Sequence, residues 1–319
     1  MTSYYLPDEL FIKEWNEIGS PGVFAKKHKI SERSVMCRRR SIEARLGIEL
    51  PTFNSQRNIA YKKREQTPGH VRRGEDIEKG RVLVFSDAHF WPDETTTAYK
   101  ALLEAIKEFK PTTIICNGDA LDGSTTSRFP RTDWSKLPTL KEEIEACQFY
   151  LGEIEKAAVG ADLIWTMGNH DQRLEAHVVA NAPALEGLPG TSLKDYFPMW
   201  KSCWSYWINE DTCIKHRWKG GWTGGRNNAL NSGVNMVTGH THVMSVIPIV
   251  DFNGTRWGVQ TGCLADPHGQ QFSYTEDTPK DWNSGFVMLT FDRNKLLMPE
   301  MIRVWGEDEV EFRGKIHSV

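Results

Sequence analysis

Residues 82–89 read Val82-Leu83-Val84-Phe85-Ser86-Asp87-Ala88-His89: four apolar residues, then an acid and an imidazole two positions apart. The apolar run suits a short strand buried on both faces. The polar pair follows its carboxyl end, where open α/β sheets place their sites. On an extended segment, side chains spaced by two point the same way, so Asp87 and His89 are expected to face one centre. The pattern recurs downstream. A strand predicted over Thr112–Cys116 leads into Gly118-Asp119-Ala120-Leu121-Asp122, and one over Leu163–Met167 leads into Gly168-Asn169-His170-Asp171.

Between these strands the period changes. Thr95–Phe109 places Ala98, Leu102, Ala105, Ile106 and Phe109 on one helical face, and Leu140–Ala158 predicts a long second helix. Strand–helix–strand–helix–strand is the pattern of an α/β sheet with crossover helices. Beyond residue 200 the chain is strand-rich, with strands predicted over 203–208, 212–216, 234–238, 244–251, 255–261, 285–291 and 298–304. Lys215-His216 and Gly239-His240-Thr241-His242 lie at strand ends here, so the second half supplies imidazoles to a site begun by carboxylates. Two packed sheets with helices outside accommodate both halves. Imidazole and carboxylate together suit Mn, Fe, Zn or Ni better than Mg or Ca. Two cations about 3.5–4 Å apart need a bridging carboxylate and make a nucleophile of bridging water at neutral pH.

These five motifs, in this order, resemble the calcineurin-like metallophosphoesterase superfamily, read as D-x-H, G-D-x-x-D, G-N-H-D, a lone H and G-H-x-H. The resemblance implies a four-layer α/β/β/α sandwich and two divalent metal ions, Mn first among the choices. One metal would take Asp87, His89, Asp119 and His242. The other would take Asp119, Asn169, His216 and His240, with Asp119 bridging. His170 would face the scissile phosphate and assist the leaving oxygen, oriented by Asp171. Reaction would be in-line attack by the metal-bridging hydroxide. Phosphoprotein phosphatases of this superfamily carry Arg after the second Asp and then G-N-H-E; here Gly123 and Asp171 stand at those places. The chain is therefore more similar to phosphodiesterase and nuclease branches. Its stretches 118–138 (with Ser127-Arg128-Phe129-Pro130 and Trp134), 168–190 and 214–228 resemble metallophosphoesterases of bacteriophages and prophages.

The head of the chain is different in kind. Residues 1–80 carry 16 Lys and Arg against 11 Asp and Glu, while the remainder carries 23 against 31. A basic head on an acidic body suits a polyanion partner. Helices are predicted from Pro7-Asp8 to Gly19, over Phe24–His28, and from Ser31 as N-cap through Leu46, ended by Gly47. Residues 1–50 thus resemble a helix-turn-helix, with Ala25 at the helix crossing, Val35 buried against it, and Lys29 where the turn usually has Gly. Arg33, Arg38, Arg39, Arg40 and Arg45 surround an apolar stripe of Val35, Ile42 and Leu46, the combination a recognition helix needs. Residues 51–80 read as a basic linker (Arg57, Lys62, Lys63, Arg64, Arg72, Arg73), part of it able to pair as an edge strand; residues 81–319 are the expected phosphoesterase domain.

Two arginines near the motifs, Arg128 and Arg173, are candidates to grip phosphate oxygens with a planar fork. Residues 217–226 hold four glycines, two tryptophans and three cations, a loop suited to close backbone approach and to base stacking. Trp200, Trp204 and Trp207 read as packing. Six scattered cysteines without a CxxC pair argue for a reducing cytoplasm and against disulfides or structural zinc. No run of 18 apolar residues predicts a membrane span, and the first residues lack a signal peptide's pattern. The expected function is a metal-dependent phosphodiesterase or nuclease acting on DNA or another nucleic acid. The alternatives are a phosphoesterase for small nucleotides or phosphomonoesters with the head as a tether, and a DNA-binding regulator with a structural metal site.

Overall fold

The computed structural model describes residues 6–50, 69–129, 134 and 136–319. The basic residues Arg57, Lys62, Lys63 and Arg64, and Pro130, lie outside the described residues. The chain divides into two compact units, Met1–Glu65 and Gln66–Val319.

The first unit is three helices: α1 (Asp8–Ile18), α2 (Pro21–His28) and α3 (Glu32–Leu46). The expected signals end them. Gly19 and Gly47 adopt the left-handed conformation after α1 and α3, and the Ser31 side chain accepts the Ser34 N–H at 3.1 Å. Lys29 closes α2 at φ 54°, the turn position where Gly is usual. Phe11, Trp15, Phe24, Ala25, Val35, Ile42 and Leu50 form the core. Leu46, expected in that stripe, is 49% exposed. Leu50 fills that end of the core instead, where the chain folds back and its N–H donates to Glu43 at 2.9 Å.

The second unit holds two sheets. The larger has nine strands: β15 (Lys315–Ser318), β14 (Glu309–Phe312), β13 (Glu300–Gly306), β11 (Gly285–Asp292), β2 (Gly80–Phe85), β3 (Thr113–Cys116), β4 (Asp162–Thr166) and β5 (Lys201–Cys203) in that order, with β12 (Lys295–Leu296) on β11. The smaller has six: β1 (Arg72–Glu75), β6 (Ser205–Ile208), β7 (Thr212–Ile214), β8 (Asn235–Thr238), β10 (Gly254–Thr261) and β9 (Met244–Asp251). Side-chain alternation along β2 builds the layers. Leu83 and Phe85 enter the core beneath α4 (Thr97–Phe109) and α5 (Leu140–Ala157), with Leu102, Ile106, Leu151 and Ile154. Val82 and Val84 enter the core between the sheets, with Ile208, Ile214, Val237 and Val259. A further helix, α7 (Gly224–Ser232), covers the small sheet through Ala229 against Cys213, Met236 and Ile249. The architecture is a mixed α/β fold consistent with the metallophosphoesterase sandwich.

Within the expected linker, Arg72–Glu75 forms the edge strand its sequence allows, pairing parallel to β6 from Arg72↔Ser205 to Glu75↔Ile208. Two other local expectations change. Residues 224–226 begin α7 rather than a ligand-binding loop. Their glycines serve close packing: a Cβ on Gly258 of β10 would lie 2.2 Å from the Gly225 carbonyl oxygen. The hairpin β14–β15 and the helix α6 (Arg173–Asn181) are additions. Val310 and Phe312 of β14 bury into the helix-side core in the alternation their sequence carries.

Candidate metal centre

Strands β2, β3 and β4 lie side by side and parallel, so the loops that leave their carboxyl ends are neighbours. β7 and β8 are likewise parallel neighbours in the small sheet. Five loops from two sheets therefore converge at one edge of the inter-sheet core. Backbone bonds tie them: the Asp87 N–H donates to the Gly118 carbonyl at 2.9 Å, and the His89 N–H to that of Asp119 at 3.0 Å.

The Asp87–His89 segment is not extended. Asp87, His89, Asp119, His240 and His242 all take positive φ, at 51°, 39°, 54°, 70° and 59°. This left-handed region is sparsely used by non-glycine residues and costs on the order of 1–3 kcal/mol each. Asp and His tolerate it better than most residues, and its clustering here turns five side chains inward that an extended loop would splay. Gly168 makes room for them, since a Cβ there would lie 2.0 Å from Asp119 Oδ1.

The carboxylates are buried and held. Asp87 accepts from Ser86 Oγ at 2.5 Å and from the His240 N–H at 2.9 and 3.1 Å, and His242 Nε2 lies 3.3 Å away. Asp119 accepts the His170 N–H at 2.8 Å on one oxygen, and its other oxygen lies 3.0 Å from His216 Nε2. His216 Nδ1 donates to the Asn117 carbonyl at 2.7 Å, and His89 Nδ1 to Asp122 at 3.0 Å. Each bond fixes the tautomer that leaves Nε2 as the free donor atom.

Burial sets the protonation of this centre against its charges. Burial alone would raise Asp87, but His242 and His216 outweigh it and hold the carboxyl at about 2. Asp119 is likewise held well below the usual carboxylate range, where His216 and His170 overcome burial. Burial would lower His216, yet Asp119 and Asp87 push it up to about 10. These opposed shifts set a proton-retaining His216 against the ionised Asp119, 3.0 Å away.

Side-chain atoms of three residue groups come within 4.8 Å of one another: Asp87, His89 and His242; His89, Asp119 and His170; and Asp119, His216 and His240. His89 Nε2, His242 Nδ1 and Asn169 Oδ1 are buried with no hydrogen-bond partner, and His216 Nε2 faces only Asp119. Each such atom costs about 1–3 kcal/mol unless something meets it. Imidazole and amide donors around shared carboxylates are what a divalent cation would satisfy, so the residues fit a two-metal site. The seven residues expected as ligands, Asp87, His89, Asp119, Asn169, His216, His240 and His242, are all brought to this edge.

His170 takes its orientation from Asp122, not from Asp171. Its Nδ1 donates to Asp122, 2.9 Å from the backbone oxygen and 3.1 Å from Oδ1, while Nε2 accepts from Arg173 at 3.1 Å. Arg173 also donates to the Asp122 carbonyl at 2.8 Å. Burial lowers the affinity of His170 for a second proton, and Asp119 and Asp122 outweigh it. Asp171 faces away. Its carboxylate accepts the N–H groups of Asp119, Ala120, Leu121 and Gly168 and the Trp165 indole N–H, at 2.8–3.4 Å. Burial, then Asp119, raises it to about 6. Asp171 shapes the loop that carries Asp119. The role of Asp122 went unassigned from sequence, although its place in G-D-x-x-D was the available signal.

The remaining basic residues separate. Arg128 is exposed, with its guanidinium 5.1 Å from the Phe129 ring. In the first unit Arg38 pairs with Asp8 at 3.0 Å and Arg39 with Glu43 at 2.9 Å, and Arg45 also pairs with Asp8. Arg33 and Arg40 are exposed.

Fold and centre together define a metal-dependent hydrolase of phosphate esters built at the edge of two sheets. The chain belongs to the calcineurin-like phosphoesterase family, which it matches over residues 80–244. Solved structures that it resembles include an archaeal phosphodiesterase (17% identity, 70% of this chain and 99% of that one, TM-score 0.36). Others are the phosphoesterase Yfce of E. coli (14%, 69% and 97%, 0.32) and a dimetal phosphatase of Danio rerio (8%, 75% and 98%, 0.32). At these scores the likenesses add nothing to the family match. No curated protein matches the chain. Among the described residues no helix is long and apolar enough to cross a membrane.

Proposed function

We propose that this protein is a two-metal phosphodiesterase that cuts DNA or another nucleic acid. One observation carries the reading: Asp119 belongs to two of the donor groups, with orphaned buried donors on both sides of it. Asp87, His89, His242 and Asp119 would hold one cation; Asp119, Asn169, His216 and His240 would hold the other. Two bound divalent cations, Mn first among them, supply charge that offsets the phosphate oxygens and acidifies nearby water. The chain's own residues do the rest. With Nδ1 committed to Asp122, a second proton on His170 would sit at Nε2 in place of the Arg173 N–H that this nitrogen accepts, available to the departing oxygen. Arg173 beside it, with one N–H of each terminal nitrogen engaged by Asp122 and His170, keeps further N–H groups for an anionic oxygen. Arg128, exposed on the neighbouring loop, is a second candidate for phosphate contact.

The nucleic-acid substrate rests on the first unit, read as a helix-turn-helix. Its third helix leaves Arg33 and Arg40 exposed beside a well-filled core, as a recognition helix must. Six free cysteines, five of them buried, suit a reducing compartment, so we place the protein in the cytoplasm, the host's if it is phage-encoded. The test is a panel of metals against single- and double-stranded DNA, bis(p-nitrophenyl) phosphate and p-nitrophenyl phosphate, with Asp119→Asn as control. Mn-dependent DNA cleavage that Asp119→Asn abolishes is expected. Turnover of the nitrophenyl esters with DNA left intact would reject the DNA substrate and favour a small nucleotide. No turnover at all would leave only a DNA-binding protein with a structural centre.

A further inference from the structure

The segment between β10 and β11 lies beyond the family match, yet it returns to the metal centre. Phe272 is buried and sets its ring edge-to-face against both His89, at 5.1 Å, and His242, at 5.2 Å. Trp282 packs on His242 at 4.2 Å. These neighbours explain the path of the segment: two large apolar rings are buried against two imidazoles that must themselves be kept in place.

Tyr274, two residues after Phe272, has no such packing role. Its ring stands 6.4 Å from Phe272 and is 54% exposed. Phe272, whose own ring touches His89 and His242, sets it at the rim of the centre. A large half-exposed ring thus adjoins a buried anchor that packs on His89, and His89 in turn sets its ring edge-to-face against His170, the residue assigned to the leaving oxygen, at 4.6 Å. Aromatic rings in such places form sequence-tolerant platforms for bases, since every base offers a π face. A tyrosine suits the role, as it gives a rigid flat surface at small entropic cost.

We propose that Tyr274 is a specificity-determining residue whose ring stacks on the nucleobase next to the scissile phosphate, so that the centre selects nucleotidyl esters. The assignment deepens the phosphodiesterase reading above and rests on it. The test compares thymidylyl-thymidine with its two analogues in which one or the other base is replaced by hydrogen. In the full-length Mn-loaded protein, one of the two analogues should fall about 10-fold in kcat/KM, the range that removal of a base–aromatic stack produces. Tyr274→Phe should keep that preference. Tyr274→Ala and Tyr274→Leu should abolish it, Leu guarding against a defect caused by reduced volume alone. A wild type that turns over bis(p-nitrophenyl) phosphate without discriminating among the dinucleotides overturns the assignment. So does a preference unchanged in both Tyr274→Ala and Tyr274→Leu. A wild type inert on every ester overturns the phosphodiesterase reading and this one with it.

Discussion

At the scale of single residues, the centre is a set of charges arranged to receive something more positive than a proton. His216 is raised from its ordinary 6.5 to about 10, so the metal-free protein carries a proton there at neutral pH. A cation needs that nitrogen bare. Metal binding should therefore eject protons, and apparent affinity should climb with pH towards about 10. Calorimetric titration with Mn in buffers of differing ionisation enthalpy will count them. In the metal-free fold, the same shift stabilises fully below the unfolded value of 6.5 and is lost as pH rises through about 10. Asp122 and Asp171 separate orientation from scaffolding. Asp122→Asn should lower kcat by about 10–100-fold and weaken metal binding at His89, whose Nδ1 it also holds, while leaving the fold stable. Asp171→Asn should instead destabilise the fold, because one amide oxygen cannot accept five N–H donors, and each orphan costs about 1–3 kcal/mol. Urea unfolding beside metal analysis distinguishes the two. D-x-H, G-D-x-x-D and G-H-x-H were readable as metal chemistry because donor type is a property of the residue. The left-handed turns at Asp87 and His89 were not readable, because those angles are imposed by neighbouring loops and not by either side chain.

At the scale of elements, strands with four apolar residues and helices with a clean face announce themselves. β2, β3, β4, α4 and α5 fall close to their expected bounds for that reason. α7 does not, since Gly224-Gly225-Arg226-Asn227-Asn228 has poor helix propensity and folds only by packing. That packing depends on the absence of a side chain on Gly258. Gly258→Val should cost about 1–3 kcal/mol through overpacking, read from urea unfolding, and α7 should shift away from β10. Gln260 bridges this region to the metal motif, donating to Thr241 Oγ1 at 2.6 Å and to the Gly221 carbonyl at 3.3 Å. A displaced α7 is therefore expected to weaken metal binding at His240 as well.

At the scale of the whole molecule, charge divides between the units more sharply than the net value shows. If the basic head holds nucleic acid, its exposed arginines set the salt dependence. Arg33→Ala with Arg40→Ala should weaken DNA binding and reduce the slope of log K against log salt by about 1 for each phosphate left without its arginine. Fluorescence anisotropy over a salt series measures it. Arg38→Ala should differ, since its guanidinium is tied to Asp8 and to the Leu6 carbonyl and its removal disturbs the helical core first.

The sequence alone determined which residues offer metal-donor atoms, which segments are strands and helices, and where a basic helical head gives way to an α/β body. Those properties reside in residue type and in local periodicity. Tertiary structure alone decided that Asp122 rather than Asp171 holds His170, that Arg38 and Arg39 are spent on internal pairs, and that the segment carrying Phe272 and Tyr274 returns to the centre. Such partnerships join residues as distant in the chain as His89 and Phe272, or choose between two acids of neighbouring loops, and only the packing of the two sheets settles which atoms meet.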